Sequence, residues 1–272
     1  MPELPEVETV VRGLRGDTVG RTFVHVSVFW PRQITIPTSD EFINRLPGQR
    51  VLALDRRGKY IVFNLTQDVL LVHLKMTGRL YLTKSDEEKA EEDRWIRATF
   101  ELDNGHALQF SDARKFGRLY LVNKEESVTG KLGPEPLSDD FTPDILQAVL
   151  AKRRAGIKSL LLNQQIIAGI GNIYADEALW EARIDPRRKA NTLKGEEIQR
   201  LYSAICLVLQ KGIDYEGASV NWYRKADGSQ GNSQKHLNAY ARAGKSCKRC
   251  KTALTKIRLG QRGTHFCPKC QV

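Results

Sequence analysis

No stretch of this chain runs to eighteen apolar residues, so no segment is expected to span a membrane. The N-terminus lacks the basic start and apolar core of a secretory leader, which makes the cytoplasm the expected compartment. Cysteine is nearly absent: of five, only Cys206 precedes residue 247, and it lies in an apolar helical stretch that reads as core. A disulfide scaffold is thereby excluded, and no internal repeat is present. Acidic residues are in deficit, 32 against 43 Lys and Arg, and the net charge of +11 points toward a polyanion such as nucleic acid. At 272 residues the chain has length for more than one core.

The chain opens Met1-Pro2-Glu3-Leu4-Pro5-Glu6-Val7-Glu8. Val7, Val10, Val11 and Leu14 recur at helical spacing, which predicts a helix starting near Pro5, with proline and carboxylates suited to its first turn. That capped helix is one reading. The other is chemical: removal of Met1 would leave Pro2 as a secondary amine able to attack an aldehyde or hemiacetal carbon.

After this helix, Phe23–Trp30 alternates, with Val24, Val26, Val28 and Trp30 assigned to one face of a strand. Further strands are expected at 51–54, 60–65, 69–74, 96–102, 107–110 and 119–122, with Asn104-Gly105 as a hairpin turn. The charged run 84–93 reads as a solvated loop. Residues 1–130 are therefore expected to form a β-sandwich flanked by helices. A Pro/Gly-rich connection, 131–141, reads as a linker. Helices are expected from Thr142 to Lys152, from Ile157 to before Gly169, from Asn172 to Ala182 and from Lys194 to Lys211. They make 142–236 an α domain whose polar stretch 217–235 reads as a mobile loop.

The most specific pattern is Cys247-x2-Cys250, then Cys267-x2-Cys270. Its spacing suits one structural zinc held by four thiolates in a ribbon over 237–272, with strands 255–259 and 264–266 and Arg262 at the hairpin tip. Gly169-Ile170-Gly171 ahead of a helix could cradle an anion or be an ordinary tight turn. In the β region Lys59, His73, Met76, Arg114 and Phe116 share positions at strand ends and turns.

Taken together, Pro2–Thr9, Gly169–Glu177 and the four cysteines resemble, in order and across the whole chain, the formamidopyrimidine-DNA glycosylases of the Fpg/Nei family. The resemblance implies an α+β multidomain protein: β-sandwich, helix–two-turn–helix domain and zinc ribbon. It implies a monomeric repair enzyme that removes 8-oxoguanine and formamidopyrimidines from damaged duplex DNA, through a Schiff base on Pro2 and then β,δ-elimination of the abasic site. By the same resemblance Pro2, Glu3, Lys59 and Arg262 are the catalytic set, and Glu6 supports the N-terminus. Lys59, His73, Asn172, Tyr240 and Arg262 contact phosphates. Met76, Arg114 and Phe116 fill the gap left by the flipped nucleotide, and the 217–235 loop closes over the lesion.

Departures from the family pattern are Lys75 and Asn163, where glycine and aspartate are usual, and Ser233, Ala241 and Ser246. A Nei-type enzyme for oxidised pyrimidines would share Pro2, Glu3, Lys59 and the ribbon, but not the Met76/Arg114/Phe116 set. A non-catalytic zinc-ribbon protein binding DNA, or a ribosome-associated basic protein, would leave Pro2 and Glu3 unexplained.

Overall fold

The computed structural model describes residues 1–84, 94–220 and 222–272. Most of the charged run expected as a solvated loop lies outside the described residues. The chain divides into two compact units, 1–131 with 216–232, and 132–215 with 233–272.

The first unit begins with helix α1 (Leu4–Thr18), whose valines and Leu14 point inward and are buried. Two sheets follow. One has the order β1-β7-β8-β6, with β1 Phe23–Val28, β6 Gly78–Lys84, β7 Ile96–Leu102 and β8 His106–Asp112. The other runs β2-β9-β5-β4-β3, with β2 Ile34–Ile36, β3 Val51–Arg57, β4 Tyr60–Leu65, β5 Val69–His73 and β9 Arg118–Val122. All pairs are antiparallel except β2 with β9. The inner faces share one core, in which Phe23 meets Phe63 of one sheet and Phe100 of the other edge-on. This is a β-sandwich with α1 packed into it.

Several elements of this unit differ from the sequence reading, among them β6, a short helix and β1. Strand β6 carries Leu80 and Leu82 in alternation but was not anticipated beyond the Thr77-Gly78 turn. The short helix α2 (Ser39–Arg45) is N-capped by Thr38, which accepts the Glu41 amide at 3.3 Å, a Thr-x-x-Glu signal present in the sequence. In β1 a register shift between Phe23 and His25 turns Val24 outward, 51% exposed, while Phe23 and Val26 are buried. The bulge defeats strict alternation, so Val24 does not share a face with Val26.

The segment 216–232 belongs to this unit rather than to the helical region in which the sequence reading placed it. It is fastened internally: Ser219 Oγ donates to the Tyr223 carbonyl and accepts the Gly231 amide, both at 3.0 Å, and Tyr223 is part of the sandwich core.

In the second unit α4 (Pro143–Ala151), α5 (Ile157–Leu161), α6 (Asn172–Ala182) and α7 (Gly195–Asp214) follow a one-turn helix α3 (Glu126–Thr129) that closes the first unit. Ile198, Leu201, Ile205 and Leu209 of α7 are buried, as their spacing predicts. Helix α5 is far shorter than expected. Asn163 Oδ1 accepts the Gln165 amide at 3.0 Å, an Asx turn that diverts the backbone from a helix. The connection expected as a linker is bonded into this unit, with the Gly133 amide on the Gln164 carbonyl and the Ala168 amide on Pro134. Cys206 is half-buried, its thiol donating to the Pro136 carbonyl.

The hairpin β10 (Thr255–Leu259) and β11 (Arg262–Phe266) completes the unit. Its turn is only Gly260-Gln261, and Gly260 at φ +53° sits at the first turn position, where a type II′ turn favours glycine. Arg262 is therefore the first residue of β11, paired with Leu259, rather than part of the tip. Among the described residues no helix is long and apolar enough to cross a membrane.

Candidate active site and nucleic-acid interface

In the first unit Pro2, Glu3 and Glu6 are buried, while Met1 is 46% exposed. Glu6 explains how a chain terminus can be held so firmly. Its Oε2 accepts the Glu3 amide at 2.8 Å, closing the first turn of α1, and its Oε1 accepts the Ala218 amide at 2.7 Å. Gly217, at φ +80°, lets this approach happen: a Cβ there would lie 2.8 Å from the Tyr223 ring and 3.0 Å from Glu6 Cγ.

Lys59 follows Gly58 in the β3–β4 turn and is 4% exposed. That turn is tied to α1 by Arg56, which donates to Glu8 at 3.1 Å and to the Gly58 carbonyl at 3.2 Å. Burial pushes the Glu8 carboxyl up, but Arg12 and Arg56 together outweigh it and hold the group below its usual range. Glu8 and Arg56 were not singled out in the sequence, because nothing local says that they meet.

His73 pairs across the sheet with Tyr60, beside Lys59. Burial, reinforced by the charges of Lys75 and Lys59, lowers His73 to about 3. The ring is thus neutral near pH 7. Its Nδ1 accepts the Lys75 amide at 3.0 Å, which leaves the proton on Nε2, a donor suited to an anionic oxygen. Lys75 itself adopts φ +51°, a backbone conformation that favours glycine.

Met76, Arg114 and Phe116 come together on two adjacent turns. Arg114 donates to Met76 Sδ at 3.3 Å, and its guanidinium lies 4.7 Å from the Phe116 ring centre. Met76 and Phe116 are 42% and 45% exposed. Beside these turns lies a hollow of about 100 Å³ lined by Thr77, Arg79, Trp95, Trp222 and Arg224, among others.

The second unit carries Asn172, Tyr240, Arg262 and the cysteines. Asn172 begins α6 directly after Gly171, and donates to the Gly263 carbonyl at 3.1 Å. Gly263 and its neighbours are pinned from beneath. The fully buried Lys158 reaches Asp176 at 2.6 Å, Thr264 at 2.8 Å and the Gly263 carbonyl at 3.0 Å, while Asp176 accepts both the amide and Nδ1 of His265. Exposed Arg262 is thereby presented from a rigid hairpin. Glu177 accepts the amides of Asn238, Ala239 and Tyr240 at 2.8–2.9 Å, which sets the backbone of Tyr240, whose ring meets His265 edge-on. Lys158 escaped the sequence reading, and Asp176 and Glu177 figured there only as the end of the 169–177 motif without these partners, as buried charges paired over long separations do.

The four cysteine sulfurs lie within 4.8 Å of one another, with Cys250 and Cys267 at 3.4 Å and Cys247 and Cys270 at 4.0 Å. A tetrahedral zinc with Zn–S bonds of about 2.3 Å needs sulfurs about 3.8 Å apart, so the set fits one zinc ion. The Cys270 amide donates to Cys267 Sγ at 3.3 Å, and Trp180, with its indole N–H buried, packs against the same cluster. A backbone donor to sulfur favours the thiolate, the form that binds the metal.

Three family models match in sequence: the formamidopyrimidine-DNA glycosylase N-terminal domain over residues 1–119, its H2TH domain over 132–224, and the zinc finger found in FPG and IleRS over 244–272. The chain belongs to the formamidopyrimidine-DNA glycosylase family. It is 42% identical to the formamidopyrimidine-DNA glycosylase of Protochlamydia amoebophila, covering 100% of this chain and 99% of that one. Identity to the corresponding protein of Chloroflexus aurantiacus is 45%, over 100% and 98%. Among solved structures, a Lactococcus lactis FPG mutant in complex with Fapy-dG-containing DNA superposes with a TM-score of 0.91 at 35% identity, over 99% of both chains. MutM in complex with DNA containing carbocyclic 8-oxo-G gives 0.90 at 36%, again over 99% of both. The four-cysteine ribbon is accordingly a zinc finger with one structural zinc.

Proposed function

We propose that this protein is a bifunctional DNA glycosylase and AP lyase of base excision repair, acting on 8-oxoguanine and formamidopyrimidines in duplex DNA in the cytoplasm. The observation that carries the reading is the pinned N-terminus. An amine that must meet one carbon of one nucleotide cannot fray, and the Glu6 bridge from the Glu3 amide to the Ala218 amide prevents fraying.

In this reading Met1 is removed and the Pro2 nitrogen attacks C1′ of the damaged nucleotide. The C1′–N bond breaks and the base departs with its electron pair and a proton. Glu3 protonates the ring oxygen as the sugar opens, and the nitrogen lone pair forms a cationic iminium with C1′. A secondary amine suits this step, since its iminium stays charged without a proton and acidifies the C2′ hydrogen. Loss of that proton expels the 3′-phosphate, and a second elimination expels the 5′-phosphate.

Lys59, the Nε2–H of neutral His73, Asn172, Tyr240 and Arg262 serve as phosphate ligands, Lys59 and Arg262 also supporting the catalytic step. Met76, Arg114 and Phe116 fill the gap left by the flipped nucleotide. The segment 217–235 covers the lesion, and its attachment to Glu6 links lesion contact to the position of the amine.

Borohydride trapping on duplex DNA containing 8-oxoguanine tests this directly. A covalent protein–DNA band that disappears in Pro2→Gly is expected. No band with any oxidised purine would sink the reading, and a mature N-terminus that retains Met1 would make Pro2 an amide and exclude it as nucleophile.

A further inference from the structure

Asp112, the last residue of β8, is 1% exposed, and its carboxylate stays beneath the surface that Met76 and Phe116 present. Its two oxygens are nonetheless shared by the two turns that carry Met76, Arg114 and Phe116. Oδ1 accepts the hydroxyl of Thr77, the residue after Met76, and the amide of Arg114 at 3.1 Å. Oδ2 accepts the amide of Gly117, the residue after Phe116, at 2.7 Å. Thr77 closes the knot by accepting the Arg114 amide at 3.2 Å.

Close packing leaves the backbone little alternative. A Cβ on Gly117 would lie 2.4 Å from the Phe110 ring, and one on Gly78 would lie 2.3 Å from the Leu74 carbonyl oxygen. The Gly117 turn is therefore drawn tightly against β8 and the Leu74–Gly78 turn is closed tightly on itself, while one carboxylate bonds to both.

We propose that Asp112 is the positioning residue for gap filling: it sets the Met76 turn and the Arg114–Phe116 turn as one rigid wedge. This rests on the reading of Met76, Arg114 and Phe116 as the residues that replace the flipped nucleotide. Three donors converge on Asp112, and only a carboxylate can accept all three. In Asp112→Asn one oxygen becomes an NH₂ that faces an N–H or O–H donor, which pushes one turn away while changing volume hardly at all. An inserted side chain displaced by an ångström no longer fits the stack, although the amine chemistry on Pro2 is untouched.

The test uses the full-length zinc-loaded protein in three forms: wild type, Asp112→Asn and Arg114→Ala. Single-turnover cleavage is compared on duplex DNA with 8-oxoguanine opposite cytosine and on a preformed abasic site in single-stranded DNA, where no gap opposite a partner base exists. Amide exchange at Arg114 and Gly117 is followed by NMR. For Asp112→Asn the expected result is exchange at least tenfold faster at both amides and duplex excision at least tenfold slower. Single-strand cleavage should stay within about twofold of wild type, a split that general destabilisation would not produce.

Unchanged exchange, or equal losses on both substrates, overturns the proposal. If Arg114→Ala shows no duplex-specific loss, the gap-filling reading fails, and the proposal with it; faster exchange in Asp112→Asn would then mark a structural knot alone. Should Asp112→Asn not fold, Thr77→Val removes one donor to Asp112 and one acceptor of the Arg114 amide, so the Gly117 amide, held by Asp112 and not by Thr77, decides: several-fold faster exchange at Gly117 with a duplex-specific loss supports the proposal, and wild-type behaviour there overturns it.

Discussion

Glu6 and Ala218 are 212 residues apart in sequence, yet the Glu6 carboxylate accepts the Ala218 amide at 2.7 Å. The same carboxylate holds the Glu3 amide, so one buried side chain fastens both the start of the chain and a segment near residue 220.

Glu6→Gln should lower stability by about 1–3 kcal/mol, because an NH₂ then confronts one of the two amide donors. Urea unfolding measures this. A change under about 0.5 kcal/mol would show that the carboxylate is not needed for the bridge. Trapping on abasic DNA should weaken in the same variant, since the Pro2 segment loses an anchor.

His73 should remain neutral, protonated on Nε2, from pH 8 down to about 4, given its pKa of about 3. Because the unfolded ring titrates near 6.5, the unfolded chain takes up this proton first. The His73 contribution to stability is therefore fully present above about pH 6.5 and falls as pH drops toward 3. His73→Gln should flatten that limb of the stability–pH curve. Imidazole NMR resonances that move between pH 6 and 7 would contradict the assignment.

Removing the zinc should unfold the ribbon and not the sandwich, since Cys247 and Cys267 form a small separate core with Trp180, Ala239 and Leu254. Chelation at neutral pH is expected to shift Trp180 emission and to weaken DNA binding, with far-ultraviolet β signal largely retained. Cys247→Ser should lose the metal; an unchanged zinc content would refute the four-thiolate site.

Arg262→Ala should weaken binding to lesion DNA by about 1.5–3 kcal/mol, as expected for one charge-assisted phosphate contact, and leave the melting temperature unchanged because the side chain is exposed. With about five such contacts in all, log K should fall against log salt with a slope of roughly −4 to −5, and the variant should be shallower by about 1. Equal slopes would argue that Arg262 meets no phosphate.

What the sequence determined by itself is whatever local spacing specifies. Two Cys-x2-Cys pairs define four ligands, the valine spacing buries one face of α1, and Ile198, Leu201, Ile205 and Leu209 do the same for α7. Such patterns need only a few neighbouring residues. The signals for α2 and β6 were also local, in Thr38-x-x-Glu41 and in the Leu80/Leu82 alternation, though they lay beside stronger turn signals.

Tertiary structure alone decided the rest. A bulge turned Val24 outward against its periodicity, and an Asx turn at Asn163 cut α5 short. The Glu6–Ala218 bond attached 216–232 to the sandwich instead of to the helices that precede it. The Glu8–Arg56 tie and the Lys158–Asp176–His265 network follow the same rule, as does Asp112 in its bond to Thr77. A charged side chain is buried only where the fold brings it a partner from elsewhere in the chain, and no window of sequence contains both halves of that pair. The opening Pro2-Glu3-Leu4-Pro5-Glu6 shows the division most clearly: sequence makes it a capped helix start, and a distant amide holds it still.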